Sequence, residues 1–105
     1  MAIVAVRGEH ETFSAPRLAA DLEGLLGEGL AIVVDLSEAD FLDSTVVSVL
    51  LRARFDARER DSKLAIVVDD STGWAVRRLF QVTGLDEIFE IAGDREKAIA
   101  AVLSA

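Results

Sequence analysis

The hexapeptide Leu-Ala-Ile-Val-Val-Asp occurs twice, at Leu30–Asp35 and again at Leu64–Asp69. Each copy is a short, β-branched apolar run closed by an acid, the pattern of a buried strand. After each copy comes a polar stretch and then helical periodicity, so strand, loop and helix alternate as they do in an α/β sheet with helical crossovers. Two copies make two equivalent strands rather than a repeat array, which needs at least three units to bury its faces.

The flanking segments extend this pattern. Ala2–Val6 reads as a weak strand, and Gly-Glu-His-Glu-Thr-Phe, from Gly8, as a second short strand or a bend. Ser14 is placed to cap a helix with Pro16 in its first turn, where a missing N–H costs little. That helix carries Leu18, Leu22, Leu25 and Leu26 on one face and stops near Gly27 and Gly29. A second helix is expected from about Ser44 to Arg60. A third follows Ser71-Thr72, with Val76, Leu79, Phe80 and Val82 ahead of Gly84. Ile88–Ile91 reads as a last short strand. Asp94 caps a final helix with Ile99, Val102 and Leu103 inward.

With 105 residues, 51% of them hydrophobic, the chain is expected to be one domain over 1–105 with a core of its own. Eleven Lys and Arg stand against 19 Asp and Glu, a net charge of −8, which repels nucleic acid and anionic membranes. There is no cysteine, so disulfides and thiolate chemistry are excluded and a reducing compartment fits. The apolar opening Met1–Val6 is too short for a signal peptide or membrane span, and a cytoplasmic protein is expected.

Catalytic signatures are scarce. The chain has one histidine, no tyrosine, and no HExxH, GxSxG or Walker-type glycine loop. The glycines of Gly24–Gly29 are spaced for a helix stop, not a dinucleotide turn. His10 lies between Glu9 and Glu11, but consecutive strand residues face opposite ways, so no metal site is expected there. Asp69-Asp70, followed by Ser71-Thr72, reads as helix entry. An enzyme would have to be built around Asp35, Asp69 and His10. The arginines between Arg52 and Arg60 alternate with acids, as on a solvated helix face. Trp74 fits a core edge or a contact residue equally.

Phe41–Leu51 reads Phe-Leu-Asp-Ser-Thr-Val-Val-Ser-Val-Leu-Leu. Three small polar residues enter an aliphatic run, with Ser44 able to serve as a plain N-cap. In the second helix Val47, Leu51 and Phe55 form one stripe, and Val46, Val49, Leu50, Ala53 and Ala57 another. Together they exceed one core face. Either a neighbouring helix covers the surplus, or Val46 and Val49 are exposed beside Ser44 as a docking patch.

Three stretches together resemble the STAS domain of anti-sigma factor antagonists: GEHETFSAPRL at Gly8–Leu18, VVDLSEADFLDSTVVSVLLRARFDARERDSKLAIV from Val33, and AVRRLFQVTGLDEIFEI at Ala75–Ile91. The resemblance covers nearly the whole chain. It implies an α/β fold with a mixed β-sheet of four to five strands and about four helices packed mainly on one side. It also implies a regulator that is not an enzyme and has no cofactor, a monomer or weak dimer whose partner is an anti-sigma factor with serine kinase activity. The family's phosphate acceptor falls on Ser44, with Thr45 as the alternative. The expected contact surface comprises Glu11, Ser14, Asp40, Asp43, Ser44, Thr45, Val46 and Val49. Three positions depart from the family pattern: Val46 replaces a common Gly, Gly8–Glu11 replaces a Gly-Glu-Leu-Asp-like segment, and Thr45 replaces a frequent Ser. STAS-like domains also bind nucleotides or lipids, so a small-ligand module is the second reading.

Overall fold

A computed structural model describes residues 1–10 and 14–104, apart from the side chains of Glu9 and His10. Glu11, expected at the contact surface, and the His10 side chain lie outside that description. The two hexapeptides form β3 (Ile32–Asp35) and β5 (Leu64–Val67), in which every residue is buried. They pair in parallel, Ile32 opposite Leu64 and Val34 opposite Ile66. β1 (Ala2–Ala5) and β6 (Glu90–Ala92) complete a parallel sheet in the order β1-β3-β5-β6. The α/β fold and four-strand sheet are as expected, and each ladder described is parallel.

That strand order dictates where the helices go. Each new strand is added on the same side of the last, so right-handed crossovers deliver their helices to a single face. Those helices are α1 (Ala15–Gly27), α2 (Ser44–Glu59) and α3 (Trp74–Thr83), followed by the single turn α4 (Leu85–Ile88). On this face Ile32, Val34, Leu64 and Ile66 share one core with Leu22, Leu26, Val46, Leu50, Val76 and Phe80. On the other face Val33, Ala65 and Val67 meet Ala98 and Val102 of α5 (Arg95–Leu103). The alternation along β3 and β5 thus feeds two cores at once.

A two-strand ribbon, β2 (Gly8–His10) with β4 (Ala39–Leu42), extends beyond the main sheet. β4 carries no sequence signal, because its two middle residues, Asp40 and Phe41, are both exposed and nothing alternates. Tertiary pairing creates it instead, anchored where Gly8 N donates to Glu38 O at 2.9 Å. The ribbon also locks onto α3, since Gly73 N donates to Ala39 O at 2.8 Å. A Cβ on Gly73 would lie 2.7 Å from Asp40 Cα, so only glycine permits this approach.

Three expectations are corrected. Ile88 belongs to α4, and the last strand begins at Glu90, because the buried Phe89 ring turns in to pack 6.1 Å from Phe80. Gly84, at φ 75°, makes the break between α3 and α4. Val82 and Leu103 are exposed, since the buried pairs Val76–Phe80 and Ala98–Val102 set the inward faces at four-residue spacing.

Two glycines predict opposite signs. Gly73→Ala drives a methyl into backbone and is expected to cost about 1–3 kcal/mol. Gly24→Ala, inside α1 with open space around its Cβ, is expected to stabilise by about 0.5–1 kcal/mol. Urea denaturation midpoints of both variants check the pair.

Candidate functional site around Ser44

Parallel strands that each feed a helix gather the strand carboxyl ends and helix N-termini at one end of the sheet. β4 leads into α2 through a single residue, Asp43. Its backbone is extended, and its carboxylate accepts a hydrogen bond from Val46 N at 3.1 Å. Asp43 is therefore the N-cap, correcting the placement of that role on Ser44. Ser44 is instead the first helical residue, exposed, and its hydroxyl makes no hydrogen bond among the described residues. The Ser44 carbonyl accepts from Ser48 Oγ at 2.9 Å, an ordinary helical back-bond. Thr45 and Asp40 are exposed and Asp43 half-buried, while Ser14 stands at the N-cap position of α1 with helical backbone and its side chain makes no capping hydrogen bond, contrary to expectation.

The expected apolar docking pair is overturned. Val46 is 0% exposed, and Val49 is half-buried against the core, so Val46 cannot touch a partner directly. The buried stripe of α2 is Val46, Leu50, Ala53 and Ala57, with spacings of four, three and four that hold one face on the sheet. Val46 fills space under the helix start. The surplus falls on the other stripe: Val47 and Leu51 are half-buried and Phe55 is exposed. Two larger apolar groups are exposed on β4 and at the start of α3. Phe41 on β4 is 41% exposed and Trp74, opening α3, is 68% exposed, which settles Trp74 as a surface residue. Phe41 went unread because a lone Phe in an unrecognised strand carries no orientation.

The acids at the strand ends are already engaged. Asp35, nearly buried, pairs with the Arg95 guanidinium and accepts from Ser37 N at 2.8 Å. Burial pulls its pKa upward, but the Ser37 and Arg95 hydrogen bonds outweigh it, and the net position is below the ordinary carboxylate value. Asp69 accepts from Ser71 Oγ at 2.6 Å and from the Ser71 and Thr72 amides, and the Ser71 bond leads in lowering its pKa. That is the helix-entry turn expected of Asp69. With Asp35 and Asp69 committed in this way, neither is a free general base. Among the described residues no group of three or more His, Asp and Glu is placed to hold a metal, and no helix is long and apolar enough to cross a membrane. A cavity of about 420 Å³ lies at the opposite end of α2, lined by Arg54, Arg58, Lys63, Glu87 and Phe89 among others, away from Ser44.

The capping assignment predicts an asymmetry. Asp43→Ala is expected to lose about 0.5–2 kcal/mol, whereas Ser44→Ala stays within about 0.5 kcal/mol, by urea denaturation. Asp35 sets an acid limit. Its folded pKa is depressed, so its contribution is complete above about pH 4 and is lost as pH falls through the folded value. Asp35→Asn, which leaves Arg95 without its partner, is expected to cost about 1–3 kcal/mol at neutral pH and to flatten the acid limb of stability against pH.

The profile of the STAS domain family matches residues 1–98. The anti-sigma-B factor antagonist of Listeria monocytogenes is 36% identical over 89 residues, covering 82% of this chain and 74% of its own. The crystal structure of an anti-sigma factor antagonist from Mycobacterium paratuberculosis superposes with a TM-score of 0.82 at 28% identity, covering 97% of this chain and 85% of that one. The Bacillus cell fate determinant SpoIIAA, solved in its phosphorylated form, shares the fold at 20% identity, with a TM-score of 0.68 over 95% of this chain and 88% of its own. Family profile, relative and fold agree over nearly all of the sequence, and the chain belongs to the STAS domain family.

Proposed function

We propose that this protein is an anti-sigma factor antagonist, a cytoplasmic regulator without catalysis of its own. It binds an anti-sigma factor with serine kinase activity while Ser44 is unmodified. Phosphorylation of Ser44 releases the partner, and so controls sigma-factor-dependent transcription. The observation that carries this reading is the Ser44 hydroxyl itself: exposed, unbonded among the described residues, and one residue past the acidic cap. A hydroxyl with no structural duty is available to a kinase. The neighbouring Thr45 is exposed as well and is the alternative acceptor.

The electrostatics account for release without unfolding. A phosphate adds about −1.5 to −2 charge. The start of α2 favours an anion by about 0.3–1 kcal/mol through its dipole. Asp43 already occupies that end, and Asp40 lies three residues before it, so the added charge is repelled as well as welcomed. The fold tolerates the group, and the change falls on the surface. A partner docked over Asp40, Asp43, Ser44 and Thr45 then meets a dianion whose burial costs several kcal/mol. Val46 acts from below, by fixing the start of α2, and Val49 contributes only its exposed fraction. Ser14 and the Glu11 segment complete the contact, which is made by a monomer or weak dimer and involves no nucleic acid or membrane.

Incubation with each purified anti-sigma kinase of the source organism and ATP is expected to add one phosphate, mapped by mass spectrometry to Ser44 and absent from Ser44→Ala. Ser44→Asp is expected to weaken that partner's binding at least about tenfold, while Ser44→Ala binds like the parent. Phosphate on Thr45 alone would move the switch by one residue. Full affinity in both Ser44→Asp and the phosphorylated protein would end the reading.

A further inference from the structure

We infer that Trp74 and Phe41 form an aromatic anchor beside Ser44, and that the anti-sigma factor covers it with an apolar pocket rimmed by basic side chains. The inference rests on the preceding reading of the partner and adds the residues that hold it. Trp74 is the chain's only tryptophan. It supplies nothing to the core, because Val76 and Phe80 take the buried face of α3 while the indole is 68% exposed. Phe41 is the larger of two outward groups on β4, a strand of four residues.

A backbone contact joins the two. The Gly73 amide donates to Ala39 O at 2.8 Å, and the Gly73 Cα is pressed against the Asp40 backbone. Trp74 and Phe41 are the next residues along each segment, so each Cα lies about 3.8 Å from the junction. Ser44 follows Phe41 by three residues, with only Leu42 and Asp43 between. The junction therefore brings the chain positions of both aromatic residues together, with Ser44 three residues beyond Phe41. Phe55 is also exposed, but it lies eleven residues along α2, about 16 Å from Ser44 by helical rise.

Two further observations favour a binding role. Arg78, one turn along α3, lies 5.6 Å from the indole centroid, a cation–π contact that limits the ring's freedom before a partner arrives. A side chain already restrained loses less entropy on docking, and Trp is the residue most enriched among those that dominate interfaces. The surroundings set the partner's charge. Asp40, Asp43, Asp69 and Asp70 all lie on the two segments that meet at Gly73 or on their continuations, in a chain of net charge −8. A basic rim complements that surface. A second copy of this chain would bring the same acids face to face.

The test is titration calorimetry of each purified anti-sigma factor of the source organism against parent, Trp74→Ala, Trp74→Phe, Phe41→Ala and Ser44→Asp, with urea midpoints measured alongside. Trp74→Ala is expected to weaken binding about 30-fold or more with its urea midpoint unchanged, and Phe41→Ala about tenfold, while Trp74→Phe recovers most of the loss. Added salt is expected to weaken parent binding, as a basic rim requires. Fluorotryptophan incorporated into this chain alone is expected to shift its fluorine resonance on complex formation. If the parent binds and Ser44→Asp releases while Trp74→Ala binds as the parent does, the anchor is refuted and the switch stands. If the parent binds no anti-sigma factor, both fall. A parent dimer that Trp74→Ala dissociates would give the face to a second copy and overturn the inference.

Discussion

Complete burial of β3 and β5 is the constraint on which this molecule depends. A strand buried on both faces needs cover on both, and the chain supplies it unequally. One face of the sheet takes α1, α2 and α3 from the crossovers, and the other takes α5 alone. Because the strands are added in one direction, the crossover helices have no choice of side. α5 closes the opposite face, where Ala98 and Val102 meet Val33, Ala65 and Val67. Asp35 secures that closure: its pairing with Arg95 ties the end of β3 to the start of α5.

The same constraint produces the functional end. Four helices begin where parallel strands finish, and acids are the natural residues for helix starts, as capping groups and as partners of the helix dipole. Asp43 caps α2 and Asp94 caps α5 by accepting from Val46 N and Lys97 N. An acidic surface follows from folding requirements before any binding is asked of it. Once Asp43 holds the cap, the exposed Ser44 is relieved of that duty.

Much of this was legible in the residues. The paired hexapeptides announced the central strands, the Leu18–Leu22–Leu26 spacing announced α1, and Asp94 announced α5. What could not be read was whatever depends on which side faces what. Val46 and Val47 are identical in type and adjacent in sequence, yet Val46 is sealed under α2 and Val47 lies at its margin. Periodicity gave two stripes on α2 and no means of ranking them, since the ranking is made by the position of α1 and the sheet. β4 escaped because a four-residue strand with exposed polar and aromatic centres has no period.

Sequence by itself determined the α/β alternation, the buried strands and the absence of common catalytic motifs, because these follow from residue type and local spacing. Only the tertiary structure decided which residue caps α2, which valine is hidden, and that Phe41 and Trp74 flank one junction. The last of these hangs on a contact between segments more than thirty residues apart, the passage of Gly73 against Asp40. Local preference cannot encode such an approach. It exists because the crossovers bring β4 and α3 together and because glycine at position 73 leaves room for backbone to meet backbone.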